Sequence, residues 1–339
     1  MYRRHQLDSR AWDACVMASA QRIVYGYSWY LDAVLPGPDW QWDGWVLPGE
    51  EGGYRAVLPV PQRRKYGRWV LHQPLFCQLL GLFSADPTVD PAPFYRAVYE
   101  QFRYNSGLHV QAGATWPGPT EPIRLLTTHL LDLSAGYETI YSRYSRDRRR
   151  NLRRAEEMNW TITQSTDLEP LLRLFRTHHA NTIAGGVGDW AYAFLSALYD
   201  SLRARQLAQL HYAQLDGHIE AGALFVREGN RVIYLFNAAS PVGRRGNART
   251  LLIDRVIRYY AGEASPGWFD FESPEKPAIV DFYRSFGAVD MSFQAVCWQR
   301  FTWPERLAWR LKQQLLHGQP APLASWLWQT AQPVRFRTD

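Results

Sequence analysis

Residues 217–288 constrain the fold more than any other stretch, because they combine a hairpin, a glycine-rich turn, a helix, a strand and a second helix. Two runs with strand character, residues 218–226 and 231–237, flank a short turn and predict the hairpin. The turn Gly243-Arg244-Arg245-Gly246-Asn247-Ala248 leads directly into a segment with apolar residues at helical spacing. Backbone N–H groups at such a turn, with the positive end of the helix dipole behind them, predict a phosphate site.

The same stretch continues with a strand at residues 268–272 and a short helix at residues 278–288, which contains Tyr283-x-x-x-Gly287. This order of elements resembles the acyl-CoA-binding half of the GNAT N-acyltransferase fold. The family's turn reads Arg/Gln-x-x-Gly-x-Gly/Ala, so Gly246 and Ala248 match, while Gly243 stands where Arg or Gln is expected. The resemblance implies acyl-CoA, for example acetyl-CoA, as co-substrate, bound by residues 243–248.

A second stretch narrows the family. Asp132-Leu133-Ser134 and residues 144–155 are similar to the segment that joins two GNAT-like halves in the FemAB-like group, the Fem-type peptidoglycan-bridge aminoacyltransferases and their acetyltransferase-like relatives. The similarity extends roughly from Tyr25 to Trp298. It implies an α/β (α+β) fold with two consecutive GNAT-like domains, each a mixed, mostly antiparallel sheet flanked by helices.

The length of 339 residues is about twice that of a usual single domain. We predict an N-terminal GNAT-like domain at residues 1–140, a C-terminal GNAT domain with the acyl-donor site at residues 141–300, and a tail at residues 301–339. The first domain should contain a helix at 22–40, strands at 40–47 and 54–60, a helix at 91–104 and a strand at 107–113. It has no glycine-rich phosphate turn, so we expect no cofactor there.

Basic residues are spread unevenly along the chain, which has a formal charge of +6. Residues 61–68 read as a basic loop, either solvated or contacting an anionic substrate or nucleotide. Residues 142–158 read as one helix with seven arginines, either a solvated face paired with nearby acids or a phosphate-binding surface. If the phosphates belong to a tRNA, the expected contacts are Arg143, Arg146, Arg149, Arg150 and Arg153.

Several other features point away from metal and membrane-spanning proteins. Cys15, Cys77 and Cys297 are far apart and read as buried free thiols. His178 and His179 read as polar residues at a helix end, so no zinc site is expected, and residues 185–188 read as a turn or lid. No apolar run reaches about 18 residues and the N-terminus lacks a signal sequence, so we expect a cytoplasmic protein. A basic amphipathic helix at residues 304–317 would either pack on the protein body or lie on a membrane surface.

Acyl transfer to an amine requires a polarised thioester carbonyl, a deprotonated amine and a proton for the departing thiolate. A backbone N–H near Asn237, at the end of the strand 231–237, is our candidate for the first requirement. Glu272 is the candidate base, although a role in a salt bridge stays open. Tyr283 matches the family's thiolate-protonating tyrosine, although a role in the core stays open.

The resulting hypothesis is an N-acyltransferase that moves an acyl group from acyl-CoA to an amine acceptor in a cleft between the domains, without metal. One alternative is an aminoacyl-tRNA-dependent Fem-type transferase acting on a cell-wall precursor. Another is a non-catalytic binding protein with a degenerate GNAT fold. The departure at Gly243 favours the alternatives, whereas Gly246-x-Ala248 and Tyr283 favour acyl-CoA.

Overall fold

The computed structural model describes residues 1–35, 37–49, 52–65, 67–116, 123–183, 186–262, 267–273 and 276–307. The chain divides into two compact units. Of the described residues, the first contains Met1–Leu126 and residues 292–307, and the second contains Thr127–Met291. The first unit therefore takes its last strand from far along the sequence. The domain ranges given above, with a boundary at residue 140, stay a prediction.

The strands are β1 (Tyr2–Arg3), β2 (Trp40–Pro48), β3 (Tyr54–Lys65), β4 (Arg68–Leu71), β5 (Phe83–Ser84), β6 (Tyr104–Gln111), β7 (Arg124–Asp132), β8 (Thr161–Ser165), β9 (Ala208–Leu215), β10 (His218–Glu228), β11 (Arg231–Ala239), β12 (Trp268–Asp270) and β13 (Val289–Gln299). The α-helices are α1 (Ser9–Ala18), α2 (Ser28–Val34), α3 (Ala92–Gln101), α4 (Tyr137–Arg143), α5 (Arg146–Glu156), α6 (Glu169–His178), α7 (Asp189–Ala204), α8 (Pro241–Arg245), α9 (Ala248–Ala261) and α10 (Pro277–Arg284). Single turns of 3-10 helix lie at Arg4–Gln6, Val24–Gly26 and Ala180–Thr182.

In the first unit the strand order is β1-β2-β3-β4-β6-β13, and β5 pairs with β3. The pairs are antiparallel except β4 and β6, which run parallel. Large aromatic side chains, among them Trp12, Trp42 and Phe83, are fully buried in its core. Two predictions need correction here. The expected loop at 61–68 is largely the end of β3 and the start of β4, and the expected helix at 22–40 shortens to α2, whose Ser28 N–H donates to Asp13 Oδ1 at 2.7 Å.

In the second unit the order is β7-β12-β11-β10-β9-β8. Ala221, Ala223 and Phe225 of β10 belong to the hydrophobic core that also contains Leu252 and Val256 of α9. The intervening Gly222 lies against Leu171 of α6 instead. Because side chains alternate along a strand, α9 and α6 must cover opposite faces of β10. Both faces of the sheet are therefore buried at the strands that lead to the site.

The arginine-rich stretch forms two helices where we predicted one. The chain turns at Tyr144 and Ser145 between α4 and α5, and the Ser145 side chain caps α5 by accepting the Arg148 N–H at 3.1 Å. A serine at this position favours a new helix start over a continuous helix. The predicted lid includes Gly185, and most of the predicted helix at 304–317 lies beyond Leu307, so both extend outside the described residues.

The described parts of the chain also bear on three simpler expectations. The three cysteines are buried and form no disulfide bond, which confirms that prediction. Among the helices described, none is both long and apolar enough to cross a membrane. The same residues include no cluster of His, Cys, Asp or Glu side chains able to hold a metal ion.

Candidate active site

The strands β11 and β12 run side by side for only three residues and then separate. Their parallel register joins Arg231 to Trp268 and Ile233 to Asp270. After Asp270 the Phe271 N–H donates to the His129 carbonyl of β7 at 3.1 Å, and Glu272 adopts a left-handed φ of 45°. β11 meanwhile continues to Ala239. One edge of β11 therefore extends past the end of β12.

The backbone of β11 directs hydrogen-bonding groups to this edge. The Ser240 N–H donates to the Glu220 carbonyl across to the β10 side at 2.9 Å. Because the pairs of an antiparallel ladder alternate, Ala239 and Asn237 direct their N–H and C=O groups away from β10. The backbone nitrogen and the carbonyl oxygen of Ala239 each lie 3.1 Å from Nε2 of His179. The Asn237 N–H, our candidate for polarising a carbonyl, therefore points to the edge that β12 has left.

The glycine-rich turn differs from the expected irregular loop, because residues 241–245 form the one-turn helix α8. Ser240 caps this helix by accepting the Gly243 N–H at 3.0 Å. The Gly246 N–H donates to the Val242 carbonyl at 2.9 Å, and the Asn247 N–H donates to the Arg244 carbonyl at 3.2 Å. These three amides are used inside the turn. The groups left for an anion are the amides of Ala248, Arg249 and Thr250, which begin α9 and precede its first intrahelical hydrogen bond.

The two glycines of the turn allow close packing. A Cβ atom at Gly243 would lie 2.2 Å from the Glu220 carbonyl oxygen, and one at Gly246 would lie 2.4 Å from Cζ2 of Trp160. The Trp160 Nε1–H also donates to the Gly246 carbonyl at 3.1 Å. A larger residue fits at neither position. Gly243 thus stands in the Arg/Gln position of the family pattern because α8 lies directly against β10.

Arg249 joins the start of α9 to β11. Its Nη1 donates to the Asn237 side-chain Oδ1 at 3.1 Å, and no carboxylate of the described residues forms an ion pair with it. A cation in the first turn of a helix opposes the helix dipole. The position is favourable only when negative charge lies beside it. Arg244 and Arg245 are exposed at the end of α8.

Tyr283 lies in α10, which begins at Pro277, and its ring stacks on Phe271 with centroids 4.6 Å apart. The side chain is buried, and burial raises its pKa to about 12, with Arg249 lowering the pKa and Glu272 raising it. The Tyr283 ring also lies edge-on to Tyr234 of β11 at 6.3 Å, and Phe271, on which it stacks, directly precedes Glu272 in the chain. Glu272 itself is half-buried just past β12, not on the strand as predicted, and its N–H donates to Asp270 Oδ1 at 2.9 Å. These contacts place Tyr283 and Glu272 beside the part of β11 that follows its pairing with β12, and Asn237 lies three residues further along the same strand.

Residues 142–274 match the model of the acetyltransferase (GNAT) domain. This segment is a GNAT acetyltransferase domain. No curated protein sequence matches the chain. This match confirms, for residues 142–274, the predicted resemblance to the GNAT family.

Solved structures are similar to this chain at low identity, and two of the three named here have TM-scores above 0.5. FemX is 12% identical, with a TM-score of 0.61 over 90% of this chain and 98% of that chain. A protein of unknown function from Bacteroides thetaiotaomicron is 10% identical, with a TM-score of 0.51 over 86% of this chain and 97% of that chain. A tandem GNAT protein from the clavulanic acid biosynthesis pathway has a TM-score of 0.48 at 12% identity, covering 85% of this chain and 94% of that chain. The FemX match, at a TM-score of 0.61, and the division of the chain into two compact units confirm the predicted fold class, two consecutive GNAT-like domains with mixed sheets.

Arg148 is part of the GNAT domain and has a role that the sequence did not indicate. It is buried, and its guanidinium lies over Phe282 and Phe286 at 4.1 and 4.4 Å. Its Nε donates to Ser285 Oγ at 2.9 Å and its Nη1 donates to Thr250 Oγ1 at 2.5 Å. Burial lowers its pKa to about 10. Arg148 therefore connects α5 to the first turn of α9 and to α10.

The other arginines of α4 and α5 mostly face solvent. Arg150 pairs with Asp147 at 2.9 Å, and Arg149 Nη1 donates to the Ser142 carbonyl at 3.4 Å. Arg143, Arg146 and Arg153 are exposed, and none of them forms an ion pair with another described residue. The expected pairing with acidic neighbours thus accounts for one of these arginines. Their assignment to tRNA stays a prediction.

Two residues beside the open edge of β11 were not identified from the sequence as site residues. The sequence predicts His179 as a polar residue at a helix end. In the structure its ring is within hydrogen-bond distance of the Ala239 carbonyl, and burial lowers its pKa to about 4. No sequence pattern links residues so far apart. Arg249 is not among the predicted site residues, although the sequence shows a cation directly after Gly-x-Ala at the start of a helix.

Proposed function

We propose that the protein is an N-acyltransferase that transfers an acyl group from acyl-CoA to an amine. The observation that carries the proposal is the separation of β11 from β12, because it leaves the edge toward which the Asn237 N–H points without a paired strand among the described residues. The start of α9 and Tyr283 lie at the same end of that strand. A donor site and a proton source are thereby combined within the GNAT domain and the helix that follows it.

The start of α9 supports binding of the donor's pyrophosphate. Three backbone amides and the helix dipole favour an anion there. Arg249 adds a cation that opposes the dipole when no anion is bound. Chemically, the residues present fit a phosphate group. We assign the phosphate contact to the backbone amides from Ala248 onward. Of the other predicted cofactor-binding residues, Gly243, Arg244, Arg245, Gly246 and Asn247, the two glycines shape the turn.

Three groups would carry the chemistry. The Asn237 N–H donates to the thioester oxygen, where negative charge develops as the amine nitrogen attacks the carbonyl carbon. Glu272, directly or through a water molecule, takes the proton that the amine must lose. As the C–S bond breaks, the Tyr283 hydroxyl gives its proton to the departing sulfur. Because its pKa is raised to about 12, Tyr283 is protonated at neutral pH and able to act as this acid.

The experiment is calorimetric titration of acetyl-CoA into wild type and two arginine variants. Arg249→Met should weaken binding roughly tenfold to hundredfold, because a charge-assisted contact to phosphate is lost. Arg255→Met is the matched control: it removes the same charge from the exposed face of the same helix and should change the Kd less than twofold. Equal effects of both variants, or no heat with wild type at millimolar acetyl-CoA, would contradict the proposal.

A second candidate donor is an aminoacyl-tRNA, favoured by the exposed arginines of α4 and α5, among which Arg143, Arg146 and Arg153 form no ion pair with another described residue. A protein that neutralises several phosphates loses affinity steeply as salt rises. Bulk tRNA should then shift in electrophoresis at low salt and be released at moderate salt. Replacing Arg149, Arg150 and Arg153 with Gln should weaken binding uniformly, whereas the control triple Arg173, Arg203 and Arg205 to Gln should not. If neither triple changes the shift, the arginine helix is a solvated surface.

The third hypothesis, a non-catalytic binding protein, is separated from both by turnover. Amines are screened with acetyl-CoA by the release of free thiol. Donor binding without thiol release from any amine would support a degenerate GNAT fold. Membrane contact through the C-terminal helix and a cytoplasmic location both stay predictions.

A further inference from the structure

One face of the first unit's sheet collects basic side chains from two neighbouring strands. Lys65 of β3 lies opposite Arg68 of β4, and Arg63 lies opposite Val70 on β4 and Trp40 on β2. Residues two apart on a strand share a face, so Arg63 and Lys65 point the same way, with Arg68 beside them. The chain continues in the same alternation to His72. We call Trp40, Arg63, Lys65, Arg68 and His72 the basic face.

The side chains around Lys65 are held in place by their own contacts. The Arg63 guanidinium lies 4.6 Å from the centre of the Trp40 ring, and the His72 ring lies 5.3 Å from it. His72 Nδ1 is 2.7 Å from Ser106 Oγ, which donates its hydrogen to the Leu71 carbonyl at 3.0 Å. Nδ1 must therefore donate to Ser106, which leaves Nε2 as the acceptor nitrogen. Arg68 pairs with Glu305 at 3.1 Å.

Lys65 differs from these neighbours because its ammonium group has no hydrogen bond or ion pair with any residue that the structure describes. It is half-buried, and burial together with the positive charge of Arg63 lowers its pKa to about 8. Lys65 and Arg63 in turn add to the effect of burial in lowering the pKa of His72 to about 3. Two carboxylates of the described residues interact with the neighbouring arginines: Asp39 raises the pKa of Arg63 against the effect of burial, and Glu305 pairs with Arg68. A desolvated cation without a counter-charge is unfavourable, and an anion beside it removes the penalty.

We propose that the basic face is a binding site for the anionic group of a ligand, a phosphate or a carboxylate, which Lys65 holds with Arg63 alongside. The site belongs to the first unit, whereas the acyl-donor site proposed above belongs to the second. An ammonium is a compact point charge with three donors, and it suits a phosphate or carboxylate oxygen. The chain has only three lysines, Lys65, Lys276 and Lys312, among its 38 lysines and arginines.

The affinity of the basic face for an anion should depend on pH. Lys65 holds an anion only when protonated, so affinity should be full below about pH 7 and fall about tenfold per pH unit well above pH 8. Linkage then requires the bound anion to raise the pKa of Lys65. His72, already neutral at these pH values, contributes no change of charge.

The scarcity of lysine makes this measurable at Lys65 itself. Reductive methylation with ¹³C-formaldehyde labels the three lysines and the terminal amine, and Lys276→Arg and Lys312→Arg assign the Lys65 signal by elimination. Its carbon-13 shift is followed against pH in sodium chloride, phosphate and succinate at matched ionic strength. We expect a lowered pKa in chloride that rises by roughly half a unit or more in phosphate or succinate. Phosphate and succinate acting separately identify which anionic group the site prefers.

Two controls separate this site from the acyl-donor site. The shift must persist in Arg249→Met, because phosphate bound at α9 would be weakened there. It must also persist in Arg64→Met, since Arg64 is exposed, adjacent on β3 and on the opposite face of the strand. A Lys65 titration that is the same in all three salts overturns the proposal, and so does a shift that Arg249→Met abolishes. The acyl-donor proposal is unaffected by either result.

Discussion

Among the strands that the structure describes, each unit has one pair that runs parallel, and the two pairs end differently. In the first unit β4 stops after Leu71, which lies beside Asn105 of β6, but the chain that follows stays on β6. The Gln73 N–H donates to the Gly107 carbonyl at 2.9 Å, and the Leu80 N–H donates to the His109 carbonyl at 2.8 Å. In the second unit β12 stops at Asp270 and turns toward β7, away from β11.

The difference explains why only one unit has a candidate donor site. An extended ligand bonds to a strand through an unpaired edge. The edge of β6 is covered by residues 73–80, whereas the edge of β11 at Asn237 is left by β12 and is followed by the start of a helix. The strand pairing is the same in kind, and the connecting segment determines which edge is accessible.

The largest expected effect tests the acid at the open edge. Tyr283→Phe keeps the ring stacked on Phe271 and removes only the hydroxyl, so turnover should fall by roughly 10²–10⁴ while acetyl-CoA binding and stability barely change. Turnover is measured by thiol release with a working amine. Tyr95→Phe in the first unit is a matched control, since Tyr95 is equally buried and burial also raises its pKa to about 12. A loss of the same size in both variants would remove Tyr283 from the mechanism.

A smaller effect, on stability and not on donor binding, is expected at the covered edge of β6. The Gln73 side chain fastens residues 73–80 onto β6: its Nε2 donates to the Cys77 carbonyl at 2.6 Å and its Oε1 accepts the His109 N–H at 3.0 Å. Gln73→Ala leaves these buried groups unpaired and should lower the free energy of unfolding by roughly 1–3 kcal/mol. Acetyl-CoA affinity should not change. Unfolding in urea measures the first quantity and calorimetry the second, and donor binding altered by Gln73→Ala would mean that the covered edge also serves the donor.

The same contrast shows what the sequence can predict. The hairpin β10–β11, the helix α9 and Tyr283 follow from local periodicity and from a short motif, and the residues that determine them are close in sequence. The end of β12 depends on the Phe271 N–H reaching the His129 carbonyl, a long-range contact that no local pattern records. Residues 61–65 looked like a loop because they are basic, but pairing with β2 and β4 on either side makes them strand. The sequence does not distinguish Arg148 from the six neighbouring arginines, because only tertiary packing buries it.

The smallest expected effect concerns Tyr234, where β11 has just separated from β12. Its hydroxyl is buried and has no hydrogen-bond partner in the described part of the chain, and its ring lies edge-on to Tyr283 at 6.3 Å. Removing an unsatisfied buried hydroxyl relieves its desolvation penalty, so Tyr234→Phe should stabilise the protein by about 1 kcal/mol. Tyr144→Phe is the contrasting control, because the Tyr144 hydroxyl donates to Asp254 Oδ1 at 3.0 Å and its removal should destabilise. Both are measured as urea unfolding free energies without donor. If Tyr234→Phe instead destabilises, its hydroxyl has a partner in the folded protein, and the end of β11 is less open than the comparison with β6 requires.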